Sequence, residues 1–329
     1  MTTSLRTGTQ TPVSRICRIC NGEANKVLHV REMMLGTREV FDYVQCSACH
    51  CLQIAEIPDD IGRYYPGDYY SYDTRRHNSV KRVRRGMRRR WILTAPAPVA
   101  VLLGLLSPSD ELFHAYRRLG LKVTHRLLDV GAGSGAHVLD LHDAGVTNAV
   151  GVDLYVPKNI TMGDATIVHK RHLGEMNGHF DLITFHHSME HMPDQVGALS
   201  EARQLLADSG QILVRVPTVS SEAFEHYGAD WVALDAPRHF YLHSHESIKA
   251  AARQSGLSVV SVWCDSNDMQ FMGSEQYRMD IPLSDPRSVA RGGKSRLFSS
   301  AQRRQFRRRA RTLNRLLRGD SICVVLRKA

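Results

Sequence analysis

Three groups of residues in this 329-residue chain have types and spacings that suit chemistry. The first is LLDVGAGSGA at 127–136. Its glycines let the backbone turn tightly and let a ligand approach main-chain N–H groups at a strand end. The second is FDLITFHHSMEHMPD at 180–194, where His186, His187 and His191 stand with Glu190. A later loop adds Asp235, Arg238 and His239. Imidazoles take protons near neutral pH, and a neighbouring carboxylate raises their basicity. His187 and His191 are four apart, so on a helix they share a face, with Glu190 free to orient His191. The third group is Cys17, Cys20, Cys46 and Cys49. Two C-x2-C pairs can place four thiolates on one tetrahedral zinc. A site so saturated has no open position, so the metal is expected to be structural and to help fold a small unit.

The glycine run alone is ambiguous, because Gly131, Gly133 and Ala136 also fit a dinucleotide fingerprint. Asp153 ends the next strand and could hold ribose hydroxyls in either case. Asp129 tilts the balance. A carboxylate directly before the glycines opposes a pyrophosphate and attracts a cationic ligand. S-adenosylmethionine carries an ammonium and a sulfonium and has no phosphate.

Taken together, D-x-G-x-G-x-G, the GVD strand end at 151–153 and FDLITFHHSMEHMPD resemble the motifs of class I S-adenosylmethionine-dependent methyltransferases. The resemblance spans roughly 126–264. The doubled C-x2-C and YYPGDYY at 64–70 are similar to the zinc-ribbon start of one branch, linked to sugar-nucleotide or surface-polysaccharide modification. WVALDAPRHF at 231–240 and DSNDMQFMGSEQY at 265–277 also resemble that branch. The resemblance implies that Asp129, Gly131, Ala132, Gly133 and Gly135 hold the methionine half of the cofactor. Asp153, with Leu154 beside it, would hold the ribose. His172 and Leu173 would border adenine, although the family often carries Asp or Asn near there. Phe185 and His186 would end strand four near the reacting methyl. Gln270, Glu275 and Tyr277 become pocket candidates.

The activity implied is O-methylation of a sugar nucleotide or surface glycan, a carbohydrate modification in polysaccharide biosynthesis. His191 or His239 is the expected general base, with His187 close behind. Arg238 and the arginines of 303–311 could receive a phosphate or carboxylate. Asp235 could receive a sugar hydroxyl or pair with Arg238. Trp231, Phe240 and Tyr241 could stack on a sugar. Alternatives are C-methylation of a keto-sugar, methylation of a lipid-linked or aromatic metabolite, and a membrane-surface scaffold that keeps the cofactor fold. No carboxylate-rich magnesium set stands near the glycine turn.

The elements needed to position these groups are legible as alternating strands and helices. Strands are expected at 126–130, 148–153, 165–168, 180–185, 211–216 and 257–263. A last edge strand is expected at 322–326. Helices are expected at 136–144, 194–207 and 247–254, with little or no helix between strands two and three. The fold class is α/β: a doubly wound, Rossmann-like seven-stranded sheet with a small zinc-ribbon-like domain before it. The domains are 15–60, ribbon; 61–125, a tyrosine-rich linker and basic, apolar helical segment; and 126–329, methyltransferase, with a basic helical insertion at about 265–320.

The net charge is +10. Residues 81–90 are mostly basic and precede an apolar stretch reaching 106, too short to span a bilayer. Packing against the catalytic domain is the first expectation for 81–106, and contact with an anionic membrane surface the second. Nucleic acid is disfavoured, since the strand-four segment lacks the Asn/Asp-Pro-Pro-Tyr pattern of base methyltransferases. The start lacks an apolar core, and the cysteines cluster like metal ligands. The expected location is therefore cytoplasmic, peripheral to the inner face of the membrane if the basic segment binds lipid.

Overall fold

The computed structural model describes residues 16–65, 79–96, 99, 110–290 and 295–329. Tyr69, Tyr70, Tyr72, Ser109 and most of the apolar stretch at 97–106 lie outside them.

The chain starts with an antiparallel meander of β1 (Ala24–Arg31), β2 (Val40–Cys46) and β3 (Leu52–Ile54). Among the described residues α1 (Ser79–Thr94) and α2 (Glu111–Arg118) follow. The large domain then runs β4 (Leu127–Val130), α3 (Ala136–Asp143), β5 (Ala149–Val152), β6 (Ile160–Met162), β7 (Ala165–His169) and β8 (Phe180–His186). It continues through α4 (Gln195–Gln204), β9 (Leu206–Pro217), α5 (Glu222–Tyr227), β10 (Tyr241–Leu242), α6 (His245–Gln254) and β11 (Leu257–Cys264). It ends with α7 (Met269–Arg278), α8 (Ser300–Arg315) and β12 (Ser321–Lys328).

The main sheet has the order β11-β12-β9-β8-β4-β5-β7-β6. The middle five strands, β9, β8, β4, β5 and β7, are parallel. Their carboxyl ends therefore share one edge, where an open α/β sheet binds ligands. β4 is LLDV and is buried throughout, as a central parallel strand must be.

All seven expected strands are present, with three corrections. First, β12 is no edge strand. It lies antiparallel between β9 and β11. Its unbroken buried run at 322–326 belongs to a strand covered on both faces, which an edge strand is not. Second, the sheet has eight strands and not seven, because a short strand, β6, lies between strands two and three as an antiparallel partner of β7. Third, α4 stops at Gln204 and β9 starts at Leu206. There the Phe180 amide donates to the Leu205 carbonyl at 2.9 Å and draws the chain into the sheet early.

The basic helix α1 packs on the large domain. Arg82 forks Asp143, Arg88 and Arg89 reach Asp110, and Arg89 also meets Asp140. Gly86 lies so close to α3 that a Cβ would stand 2.6 Å from the Asp143 carbonyl oxygen. The two domains are joined by hydrogen bonds as well as by packing. β10, from the large domain, adds a fourth strand to the N-terminal sheet by pairing with β3.

Candidate functional site

The glycine turn follows β4, with Gly131, Gly133 and Gly135 all at positive φ. Glycine adopts that backbone without the steric cost of a Cβ. Gly131 is also required by space, since a Cβ there would stand 2.4 Å from Ser188 Cβ. Ser188 donates to the Val130 carbonyl at 2.6 Å, so the strand-four loop is fastened beneath the turn. Ala132 sits over Gly151 of β5, where a second Cβ would stand 2.4 Å from its own. Asp153 closes the arrangement. Its Oδ2 accepts from the Gly133 amide at 2.9 Å and its Oδ1 from the Tyr155 amide at 2.8 Å. Each carboxylate oxygen keeps a further lone pair for a ligand hydroxyl. Leu154 beside it is partly exposed.

Asp129 is buried, and Thr184 Oγ1 donates to it at 2.7 Å. Burial pushes its carboxyl up, against His137 and the Thr184 hydrogen bond. Behind it, Tyr116 OH lies 2.6 Å from both His137 Nε2 and His186 Nε2. Burial holds His186 well below the usual imidazole range, and its buried Nδ1 has no hydrogen-bond partner among the described residues. A buried carboxylate and an orphaned imidazole nitrogen at a glycine-rich strand edge fit a ligand that brings positive charge and hydrogen-bonding groups. The sequence reading missed Tyr116, His137, Thr184 and Ser188. Thr184 carried a usable signal. It is the polar interruption of an apolar strand, and parallel pairing puts it opposite Asp129.

The second cluster stands after β8. Its backbone is a 3-10 turn at Met189–His191. His187 precedes the turn at φ 50, so His187 and His191 do not share a helix face. Glu190 is fully buried and turns instead toward His187 and His239. Its Oε1 lies 3.3 Å from His187 Nδ1 and 4.0 Å from His239 Nε2. Burial pushes the Glu190 carboxyl up, but the His187 contact and the surrounding imidazoles outweigh it and bring it to about 2. Burial also brings His239 down to about 4, against the pull of Asp235. That lowering favours the neutral form of the His239 ring. His191 lies edge-on to His239 with ring centroids 4.7 Å apart. Tyr65 OH is 3.2 Å from His191 Nδ1, which brings one residue of the tyrosine-rich linker to the cluster.

Residues 108–262 match the family model of a methyltransferase domain. The match covers a little under half of the chain. S-adenosylmethionine-dependent methyl transfer is the activity that this match and the glycine turn support. Three crystal structures are among those to which the chain is similar. An S-adenosylmethionine-dependent methyltransferase from Mesorhizobium loti is 16% identical, over 65% of this chain and 96% of that one, with a TM-score of 0.40. One from Archaeoglobus fulgidus is 19% identical, over 68% and 93%, with a TM-score of 0.41. The mycolic acid cyclopropane synthase CmaA1, complexed with SAH and CTAB, is 17% identical, over 68% and 85%, with a TM-score of 0.43. No curated protein matches the chain.

Within the large domain several expected site residues take structural roles. Arg238 is fully buried and forks Asp235, while its Nη1 donates to the Tyr64 carbonyl at 3.1 Å. It is committed and cannot receive a substrate phosphate, and the same pair occupies Asp235. Trp231 is in the core, its Nε1 donating to Asp320 at 3.1 Å. Phe240, Tyr241 and Phe185 are core residues too, so none offers a ring face to a ligand. Leu173 packs in the same core, while His172 is exposed and donates its amide to Glu175. Of the later candidates, Glu275 accepts from Tyr227 OH, while Gln270 and Tyr277 are buried. A cleft of about 500 Å³ between the N-terminal sheet and α5, lined in part by Lys26, His50, Phe224 and Glu246, shares no residue with either cluster.

The four cysteines come together. Cys17 and Cys49 sulfurs are 3.6 Å apart, Cys20 and Cys46 sulfurs 3.5 Å, and all four lie within 4.8 Å of one another. Thiolates about 2.3 Å from a tetrahedral zinc lie roughly 3.8 Å apart, so the set fits. Amides of Ile19 and Cys49 point at the Cys17 and Cys46 sulfurs, each at 3.4 Å. Cys51 is buried and its thiol is pushed well up by that burial, which leaves it outside the set.

Proposed function

We propose that the chain is an S-adenosylmethionine-dependent methyltransferase acting on a carbohydrate hydroxyl, with a structural zinc in its N-terminal unit. The observation that carries the reading is the convergence of two clusters on one sheet edge. The Asp129 turn and the Asp153 carboxylate stand next to the imidazole and carboxylate group that follows β8. Gly131, Ala132, Gly133 and Gly135 would hold the methionine half by main chain, with Asp129 facing its ammonium. Asp153 would take the ribose. The cofactor supplies an activated methyl when bound. The protein then has to align the acceptor oxygen and take its proton. His187, His191 and His239 are the imidazoles in place for that transfer. The buried Glu190 next to them stabilises an imidazolium once a proton has arrived.

The test is turnover of labelled cofactor against a panel of sugar nucleotides and glycans, with NMR location of the transferred methyl. The expected result is a methoxy group on a sugar carbon. Turnover on an aromatic or lipid-linked acceptor alone would overturn the carbohydrate assignment. No cofactor binding in calorimetry would overturn the enzyme reading altogether.

A further inference from the structure

The group after β8 has features that a proton-transfer cluster does not need. Glu190 is fully buried, yet neither carboxylate oxygen accepts a hydrogen bond among the described residues. A buried carboxylate left without hydrogen bonds is unfavourable unless another partner meets it. His187 lies 3.3 Å from one oxygen, but its side chain is about half exposed and its angle is not that of a hydrogen bond.

The two histidines facing Glu190 are both fixed from behind. His239 Nδ1 lies 2.8 Å from the Ala233 carbonyl oxygen, and His191 Nδ1 lies 2.8 Å from the Arg238 carbonyl oxygen. A carbonyl can only accept, so each Nδ1 carries a hydrogen, which leaves Nε2 as the ring nitrogen that can ligate. A backbone carbonyl that orients the far nitrogen is the usual support of a metal-ligating histidine. One ligand atom from each of Glu190, His191 and His239 falls within 4.8 Å of the other two. Ligands about 2.1 Å from one cation stand roughly 3 Å apart, so the three groups have to close further on binding it.

The surroundings agree. His187, three residues before Glu190, and Asp235, four before His239, are non-glycine residues at φ 50 and φ 44. Such strain persists where the neighbouring structure enforces it, and it concentrates at functional sites. Asp235 Oδ2 is 3.7 Å from His239 Nε2, but the Arg238 fork retains its carboxylate. The protein therefore offers three ligands and leaves positions open.

We propose that Glu190, His191 and His239 form a binding site for a single divalent transition-metal cation. Two imidazoles and one carboxylate suit zinc, cobalt, iron or manganese better than magnesium. Its catalytic meaning rests on the methyl-transfer reading: a cation held there would lend Lewis acidity to an acceptor oxygen at the end of strand four. Proton removal then passes to His187, the imidazole of the group that is not a ligand.

The test does not use turnover. Co²⁺ is titrated into the full chain after its four-cysteine site has been filled with one equivalent of Zn²⁺. Neither methyl donor nor acceptor is present, so failure here is separate from failure of the enzymatic reading. One further equivalent should bind, with visible d–d bands and no near-ultraviolet thiolate charge transfer. Glu190→Gln, which keeps the shape of the buried side chain, and His239→Ala should each weaken that binding tenfold or more. His187→Ala should leave it within about threefold. Retained zinc and an unchanged thermal transition certify that each variant is folded. Should one variant fail that check, the other decides, and thiolate charge transfer in the wild type would put the cobalt on cysteine and overturn the proposal. Absence of a second equivalent, or its survival unchanged in folded Glu190→Gln and His239→Ala, would overturn the proposal.

Discussion

Asp129 shows how one residue can separate two readings of the same glycine turn. Its carboxyl is buried and pushed up, and only Thr184 and the nearby His137 oppose that. A cationic ligand group at this spot offsets the burial cost by favouring the ionised form. Asp129→Asn keeps the shape and the Thr184 neighbour but removes the charge. We expect it to weaken binding of S-adenosylmethionine or S-adenosylhomocysteine about 10- to 100-fold, the scale of one charge-assisted hydrogen bond. The sign of the pH dependence follows. As pH falls through the raised pKa, the carboxylate protonates and its attraction for the ammonium is lost. Affinity should therefore drop toward acid in the wild type and stay flat over the same range in Asp129→Asn. Calorimetry at several pH values checks both. An equal slope in the two proteins would remove Asp129 from the binding site.

Among the elements, the shortest has consequences well beyond its length. β10 contributes Tyr241 and Leu242 to the N-terminal sheet, and the Phe240 amide donates to the Glu190 carbonyl at 2.8 Å. Tyr43 OH from β2 donates to the His239 carbonyl at 2.8 Å. Ser244, which caps α6, donates to the Cys49 carbonyl. The cysteine unit thus braces the loop that carries Arg238 and His239, while the glycine turn belongs to the other sheet. Cys46→Ser should lose zinc and lower turnover tenfold or more, yet leave cofactor affinity within about threefold, since loss of a structural metal unfolds its own unit first. Zinc content, turnover and calorimetry on one preparation test this. A parallel loss of cofactor affinity would mean that the two sheets do not act separately. None of this coupling was legible in the sequence. The cysteine spacing, the glycine turn and seven strands were, because each is written in local spacing or in an unbroken apolar run. Where β12 inserts, what pairs with β10 and which partner Glu190 chooses are set by contacts between distant segments. His187 and His191 were misplaced for a related reason. A spacing of four implies one face only if the segment is helical, and the left-handed backbone at His187 prevents that.

At the scale of the whole molecule, α1 divides its basic residues between two tasks. Arg82, Arg85, Arg88 and Arg89 pair with Asp143, Asp140 and Asp110 and dock the helix on the large domain. Ile92 and Leu93 are buried on that side. The other side carries Val83, Met87 and Trp91, each more than half exposed, at helical spacing. Lys81, Arg84 and Arg90 are exposed around them. No described helix is long and apolar enough to cross a membrane. An apolar stripe flanked by cations is instead the pattern of a helix lying in an anionic lipid interface. We propose that α1 makes such a contact. Neutralising the whole of 81–90 is the wrong experiment, because it removes the ion pairs that seat the helix. Trp91→Ala with Arg84→Gln alters only exposed side chains. The wild-type chain should sediment with phosphatidylglycerol vesicles and not with phosphatidylcholine vesicles. The double variant should bind at least about fivefold less, consistent with roughly 1 kcal/mol from one surface cation and a further share from the lost ring. Raising salt should release the wild type, because the Debye length falls to about 3 Å at 1 M. Equal binding to both vesicles, or binding untouched by the double variant, would place the exposed stripe of α1 against something other than lipid.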